Sequence, residues 1–570
     1  MTNIFLYSFV SSIYLACAGF VFQKNEKKSD NYIYLLIVYG AIVLSFAALF
    51  LNFFTALNPT INTSVFFIVL AFGLFHMIKD KTILKLFYAS LLVAGLSTLI
   101  ITLDNIYRPD ASLYHLPYTK IITEDKIIFG ASNIHFRFGH TSILQYLNAI
   151  FDNLIFLENG TIISAAIIFS VIVLLFYNEI KSNYAKNKIY TLFAFFSLSY
   201  ILYGYNRYSE FGNDALAHLF FLLICLFFLK KNLNKSTRAE ELGVISLISI
   251  FCFMLKPTLL LVMLIPLYYY FFFFFEKKYF LNLINFFLLF FLLSWFIKNI
   301  VTSGCLIYPV EITCFNQLPW YSSDINYPFS AKIQSLDNEA WAKGWPDYRG
   351  DIVTQEQYVK KFFWFETWVR GHGLLIIKKL SIFIFFIFSF LFFLKKIPIQ
   401  ITNIKYLNNL KLKQKLLFLL ILSFFGILLW FLRFPIFRYG SSYLVIFLIT
   451  LVCLIATSLR LENKNNKIFY KYLKFFLIIF FLFFTLKHFI RIHKNYGKKY
   501  INFPWPQFHS SKQTDGILKS DIIKINDHTI YYILRSTDGC GYSKSPCTPY
   551  ELKNVILSKT NGYKFYNLKK

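Results

Sequence analysis

Long apolar runs separated by short polar connectors dominate the chain. The runs fall at 4–22, 32–54, 63–79, 82–103, 161–178, 188–204, 213–230, 241–255, 257–275, 279–301, 374–394, 414–432, 440–459 and 467–489. Runs of roughly 17–23 residues are long enough to cross a hydrocarbon layer of ~30 Å as helices. Backbone in lipid must satisfy its own hydrogen bonds, so each run predicts a helix. The pattern predicts an all-α polytopic membrane protein of about 14 transmembrane helices. The first run, from Met1 to Phe22, lacks a basic leader and a small-residue cleavage site. It reads as a membrane helix and not as a removable signal peptide.

Three polar interruptions are much longer than the rest, and they set the expected organisation. N-terminal membrane helices occupy 1–103, and a first long outer loop follows at 104–160. Membrane helices return at 161–301, a second outer loop spans 302–373, more helices fill 374–490, and a small soluble segment of α/β character ends the chain at 491–570. Short basic connectors mark the cytoplasmic side. Those at 23–31, 79–81, 179–187, 230–240, 276–278, 395–413 and 460–466 are basic, whereas 55–62 and 205–212 are almost free of Lys and Arg. The alternation is unbroken. It puts both termini and all three long segments outside the cytoplasm. Residues 141–157 are apolar enough to resemble a span, but a crossing there would invert every later connector. They are expected as an amphipathic or re-entrant helix at the outer surface. In the tail, Lys524 to Ile533 predicts two strands around an Asn526-Asp527 turn.

Composition agrees with this. Of 570 residues, 57% are hydrophobic and 15% charged, where a soluble domain carries about 25% charge. The net charge is +29, and lysines recur in the short connectors, where they mark the cytoplasmic side. No compact basic domain with interleaved aromatics is present, which argues against a nucleic-acid partner. Four of the eight cysteines, Cys17, Cys225, Cys252 and Cys453, lie inside apolar runs. The others form two close pairs, Cys305/Cys314 and Cys540/Cys547, both in outer segments. Disulfides and a four-ligand zinc site are the two readings, and the spacings fit common zinc knuckles poorly.

Ionisable residues at the mouth of a membrane protein are functional candidates by default. Asp104, Arg108, Asp110 and His115 follow the run ending at 103, and Glu124, Asp125, His135 and Arg137 come soon after. Asp110 is the favoured general base, suited to accept a proton from an attacking hydroxyl; its alternative role is to cap a helix. Lys256, Lys298, Arg433 and Arg438 sit at outer helix ends. They suit a departing phosphate, which needs cationic contacts more than a proton donor; Lys256 and Lys298 could equally snorkel to the interface. His115 either orients Asp110, binds phosphate or metal, or is structural. Asp104 is a base, a second carboxylate or a helix-end group. Arg137 binds an anion or pairs with Glu124 or Asp125. Glu210 and Asp214 stand one helical turn apart, a spacing open to a metal but more simply a solvated surface. Trp320, Trp341, Trp345, Trp364 and Trp368 suit either sugar stacking or an interfacial belt.

The stretch from Asp110 to Tyr114-His115-Leu116-Pro117 resembles the first outer loop of the GT-C class of integral-membrane glycosyltransferases. Lys298-Asn299 before Ser303-Gly304 and Tyr308-Pro309, and Arg433 to Arg438-Tyr439-Gly440, are similar to later motifs of that class. The likeness is strongest to a bacterial branch of unassigned substrate that shares the Asp-x-x-x-Tyr-His motif, the segment Gly130 to Gly139, and the tail motif Pro546-Cys547-Thr548-Pro549. One departure is clear: that class usually places the loop after the first helix, and here three extra spans precede it.

The resemblance implies a glycosyltransferase of the bacterial inner membrane with its site facing the periplasm. It implies an inverting transfer from a polyprenyl-phosphate sugar donor to a lipid-linked or periplasmic glycan acceptor, with Asp110 as base. His115 is then catalytic, and Asp104, Tyr114, His135 and Arg137 are substrate contacts. A divalent metal stays open as a cofactor, with no ligand set assigned. An O-antigen polymerase or ligase, using Arg349, Arg370 and His372, is the enzymatic rival. A lipid or glycan flippase is the non-enzymatic one.

Overall fold

A computed structural model describes residues 2–22, 30–103, 109–140, 142–205, 211–230, 238–273, 283–351, 353–398, 406–459, 461–495, 520–525, 528–533, 540–542, 544–552 and 554–569. Helices α1 (Thr2–Gly19), α2 (Tyr32–Asn52), α3 (Pro59–Lys79) and α4 (Ile83–Leu103) form the first group. α1 and α2 cross at bare backbone: a Cβ on Gly19 would lie 1.9 Å from the Leu36 carbonyl oxygen, and one on Gly40 would lie 1.7 Å from that of Leu15. Glycine at both positions is what lets two membrane helices approach this closely.

Two short helices follow, α5 (Leu116–Glu124) and α6 (Ile143–Ile150). α6 begins at a capping box in which the Ser142 hydroxyl and the Gln145 side chain exchange bonds with each other's backbone. Its eight residues are all buried, and at ~1.5 Å per residue it is too short to span. The expected surface position of 141–157 is thus corrected. The helix is packed within the protein: Gln145 and Asn148, one turn apart, meet His115 and Ser164 instead of water.

α7 (Gly160–Asn183), α8 (Lys188–Gly204), α9 (Asp214–Lys230) and α10 (Arg238–Leu255) come next. After α10 the chain breaks at Lys256, whose φ of −153° is extended, and Pro257 opens a 3-10 turn to Met263. Proline cannot continue the hydrogen-bond ladder. α11 (Leu264–Phe273) and α12 (Leu283–Ser303) lead to the second long segment, which carries α13 (Ala331–Ala342) and α14 (Gln355–Lys360). α15 (Trp364–Trp368) and α16 (Leu374–Lys395) run together as one apolar rod, followed by α17 (Tyr406–Arg433), α18 (Phe437–Ser458) and α19 (Asn466–Asn495).

Among the described residues, ten helices are long and apolar enough to cross a membrane: α1 to α4, α7, α12, the α15–α16 rod, α17, α18 and α19. The other four expected crossings, 188–204, 213–230, 241–255 and 257–275, are helical but short. α8 and α9 have 17 residues each, and the Lys256-Pro257 break divides the next two. α9 is buried throughout from Leu216 to Leu229, and α7 and α8 are mostly buried beside it, whereas the stretch from Pro257 to Phe273 leaves Leu260, Leu264, Leu267 and Phe271 exposed.

One end of the bundle is tied by Glu179 of α7. Its carboxylate accepts from Asn31 Nδ2 before α2 (2.6 Å), Tyr190 Oη of α8 (2.8 Å) and Lys230 Nζ of α9 (2.5 Å). The opposite end carries all three long segments. Asn133 Nδ2 donates to the Trp320 carbonyl (2.9 Å) and to the Tyr566 carbonyl (2.8 Å). One side chain therefore joins the first loop, the second loop and the tail.

The tail holds strands β1 (Ser520–Ile525), β2 (His528–Ile533), β3 (Cys547–Thr548), β4 (Val555–Thr560) and β5 (Tyr563–Leu568). β1 and β2 pair antiparallel around the expected Asn526-Asp527 turn, whose two residues lie outside those described; β3 joins β2 in parallel, and β4 pairs with β5. Beyond α19, which ends at Asn495, the described residues of the tail form a small β structure. It packs against the first loop. Phe129 N–H donates to the Lys564 carbonyl (3.0 Å) and Tyr566 N–H returns the bond (2.9 Å). Lys564 pairs with Asp125 at 2.8 Å. Cys305–Cys314 and Cys540–Cys547 are both disulfides, and the four remaining cysteines are free and buried.

Candidate functional site

At the end that carries the long segments, the tips of four helices converge. Asp214 opens α9, Lys256 follows α10, Asn299 lies in the last turns of α12, and Arg438 opens α18. Between them lies a cavity of about 330 Å³, also lined by Tyr114, His115, Tyr118, Arg137, His140, Gln145, Trp295, Tyr308 and Tyr439. That volume suits a small polar group rather than a whole glycolipid.

Arg438 is the hub. Its Nη1 is 3.0 Å from Asp110 Oδ2, and its Nε is 3.9 Å from Asp214 Oδ2. Lys256 Nζ lies 2.6 Å from Asp214 Oδ1 and also donates to the Arg438 carbonyl at 2.8 Å. His218, one turn into α9, bonds that same carbonyl through Nε2 (2.7 Å) and Ser442 through Nδ1 (2.8 Å). The Lys256 ammonium stands 4.4 Å from the centre of the Tyr439 ring. Two cations therefore face two carboxylates, and a guanidinium links the first long loop to α18.

Beside Asp110, residues Ala111–His115 form one wide π turn, a distortion that often marks functional sites. Gln145 fixes the state of His115. Its amide oxygen accepts from Ser142 N–H (2.9 Å), so its amide nitrogen, 2.9 Å from His115 Nδ1, is the donor. Nδ1 thus accepts and the proton sits on Nε2. Burial pushes the His115 pKa down to about 4, against the opposing pull of Asp110 and Asp214. Burial likewise raises the Tyr114 hydroxyl well above its ordinary range.

Arg137 reaches the cavity over aromatic faces, 4.8 Å from the Phe136 ring centre and 5.8 Å from that of Tyr114. His140 sits edge-on to Tyr308 at 5.1 Å. Gly139 is required there, since a Cβ would come within 2.6 Å of the Tyr308 ring.

Asp110, Tyr114, His115, Arg137, Lys256 and Arg438 are thus brought together. Asp110 is reached through Arg438 and is not itself among the lining residues. Three expected members stand apart. His135 is buried; its Nδ1 accepts from Arg137 N–H (3.0 Å) and its ring packs on Tyr550 at 5.0 Å, so it seats the tail and does not line the cavity. Arg433 is 69% exposed and bonds Glu339 at 3.1 Å. Lys298 is fully buried beside Trp295, 5.3 Å from its ring centre, and does not line the cavity. Asp104, Arg108 and Glu210 lie outside the described residues. The sequence reading left out Asp214 as a site residue, and it did not single out Gln145 or His140. Only Gln145 had a usable signal, the Ser-x-x-Gln capping spacing.

Among the described residues no three His, Cys, Asp or Glu side chains gather as metal ligands. Among the described residues both site carboxylates are already engaged, Asp110 by Arg438 and Asp214 by Lys256. No curated protein and no solved structure matches the chain. A family model does, over residues 1–445, a stretch that contains every residue lining the cavity. The chain belongs to the family described as Domain of unknown function (DUF8201).

Proposed function

We propose that this protein is a GT-C-like glycosyltransferase of the bacterial inner membrane. It moves a sugar from a polyprenyl-phosphate donor to a periplasmic glycan or glycolipid. In this reading the chain crosses the membrane fourteen times. The four short helices also cross, since 17 residues at ~1.5 Å each approach the thickness of the hydrocarbon layer. The basic connectors then lie in the cytoplasm.

The observation that carries the reading is the Asp110–Arg438 pair at the rim of a cavity built from helix tips. An acceptor hydroxyl attacks the anomeric carbon and forms the new C–O bond. The old bond to phosphate breaks, and its electrons leave on the phosphate oxygen. Asp110 takes the hydroxyl proton, and Arg438 fixes the carboxylate's orientation. His115 is neutral, so it serves as an Nε2–H donor and not as a base. Attack opposite the leaving group inverts the configuration.

The rivals draw less support. Arg349 bonds only nearby carbonyls, and Arg370 pairs with Glu366 in solvent. Neither they nor His372 line the cavity, as a polymerase or ligase reading would want. A flippase needs a polar path through the bilayer middle, whereas this cavity lies at one end. The test is purified protein in liposomes supplied with a panel of polyprenyl-phosphate sugars. Transfer with an inverted anomeric centre is expected; no transfer across the panel and its acceptors would overturn the reading.

A further inference from the structure

The cavity has two cationic poles that differ in how much charge they offer. At the first pole, Arg438 and Lys256 are held by Asp110 and Asp214 at 3.0 and 2.6 Å. An anion approaching them meets no net positive charge and must compete with carboxylates already in place. At the second pole, Arg137 touches aromatic faces, and among the described residues no carboxylate pairs with it. The expected partners Glu124 and Asp125 are engaged elsewhere. Lys120 and the backbone of Ser545 bond Glu124, and Lys564 bonds Asp125. Three residues on from Arg137, His140 lines the same cavity with Nε2 buried and without a hydrogen-bond partner among the described residues. A buried polar atom left unsatisfied is destabilising and asks for an explanation. A ligand oxygen is one that also accounts for the open guanidinium beside it.

We infer that Arg137 and His140 form the phosphate-binding subsite of the cavity, and that Asp110, Arg438, Asp214 and Lys256 form a self-neutralised cluster for the reacting hydroxyl. This deepens the glycosyl-phosphate reading and rests on it. Arg137 offers a planar fork to two phosphate oxygens, and the His140 imidazole bonds a third. The 3-10 turn Phe136–His140 carries both residues, and Gly139 lets Tyr308 close against them. Phosphate binding is thereby removed from Lys298 and Arg433, which do not line the cavity.

The experiment is equilibrium binding to the full chain in phosphatidylcholine nanodiscs. The probes are farnesyl phosphate, farnesol and inorganic phosphate. Arg137→Gln and His140→Ala are each expected to weaken farnesyl phosphate by about tenfold or more, with Arg137→Lys intermediate. Farnesol binding should not change. Lys298→Ala and Arg433→Ala should bind farnesyl phosphate like the parent. Tryptophan-fluorescence melting verifies folding of each variant, and Arg137→Lys supplies the comparison if Arg137→Gln does not fold. If the loss follows Lys298 or Arg433 while Arg137 variants bind normally, the subsite is overturned and the lipid-phosphate donor survives. If inorganic phosphate binds through Arg137 but farnesyl phosphate does not compete with it, the subsite survives and the lipid donor falls. If the parent binds neither phosphate, both fall.

Discussion

Asn133→Ala should release the tail from the first long segment while leaving the membrane bundle folded. Asn133 is buried. Its amide nitrogen donates to the carbonyls of Trp320 (2.9 Å) and Tyr566 (2.8 Å), and its oxygen accepts from the Tyr327 hydroxyl (3.0 Å). Alanine removes all three bonds. At about 1 kcal/mol net for each, with the carbonyls left dry, the docking loses about 3 kcal/mol. That raises the population of the opened state by a factor of about 150. Hydrogen exchange followed by mass spectrometry reads this directly. Protection in β5 should fall by about two orders of magnitude, with a parallel fall around Trp320, while α1 and α2 keep theirs. Protection in β5 within twofold of the parent would refute the reasoning. So would a uniform loss that includes α1 and α2, because the damage would then be global.

Asp214→Ala should lower thermal stability by about 2 kcal/mol by stranding Lys256, less than for a fully buried pair because the Asp214 side chain is 26% exposed. Adding Lys256→Met should recover part of the loss, and strict additivity in the melting data would remove the coupling. His115 titrates at about 4 in the fold, below the ~6.5 of an unfolded chain. The unfolded state therefore binds more protons between those values, so stability rises with pH across that window and is lost as pH falls from 6.5 toward 4. His115→Gln should flatten this dependence by roughly 3 kcal/mol at most; an unchanged slope from pH 6.5 to 4 would show that His115 is not the titrating group. Pro109→Cys is exposed beside Asp110 and should react with a membrane-impermeant maleimide in intact spheroplasts. Labelling only after permeabilisation would place the cavity in the cytoplasm.

Most helices were legible because a run of apolar side chains has one solution in lipid. The strands β1 and β2 were legible from the Asn526-Asp527 turn and its flanks. The four short runs are legible as helices, but hydropathy does not tell a helix that faces lipid from one that faces other helices, so the burial of α9 is not. For α6 the polar pair Gln145 and Asn148 is visible in the sequence, but not that His115 and Ser164 meet it. Its capping box marks where it starts but not what covers it. In the site, Asp110 and Arg438 were singled out as isolated charges next to apolar runs, yet their pairing across more than three hundred residues is a tertiary fact. Asp214 was dismissed because a carboxylate opening a helix looks the same whether water or Lys256 faces it. Lys298 and Arg433 were read as phosphate ligands from position alone. Rotation about their helix axes takes one into the core beside Trp295 and the other toward Glu339.

Asp110→Asn in a reconstituted transfer assay tests the central claim most directly. The amide keeps the shape of the carboxylate and an oxygen for the Arg438 guanidinium, but it cannot take a proton. With folded protein matched by fluorescence melting and the sugar donor that the parent uses, the variant should bind donor and transfer nothing. Transfer at the parental rate would show that the proton goes elsewhere and would contradict the account.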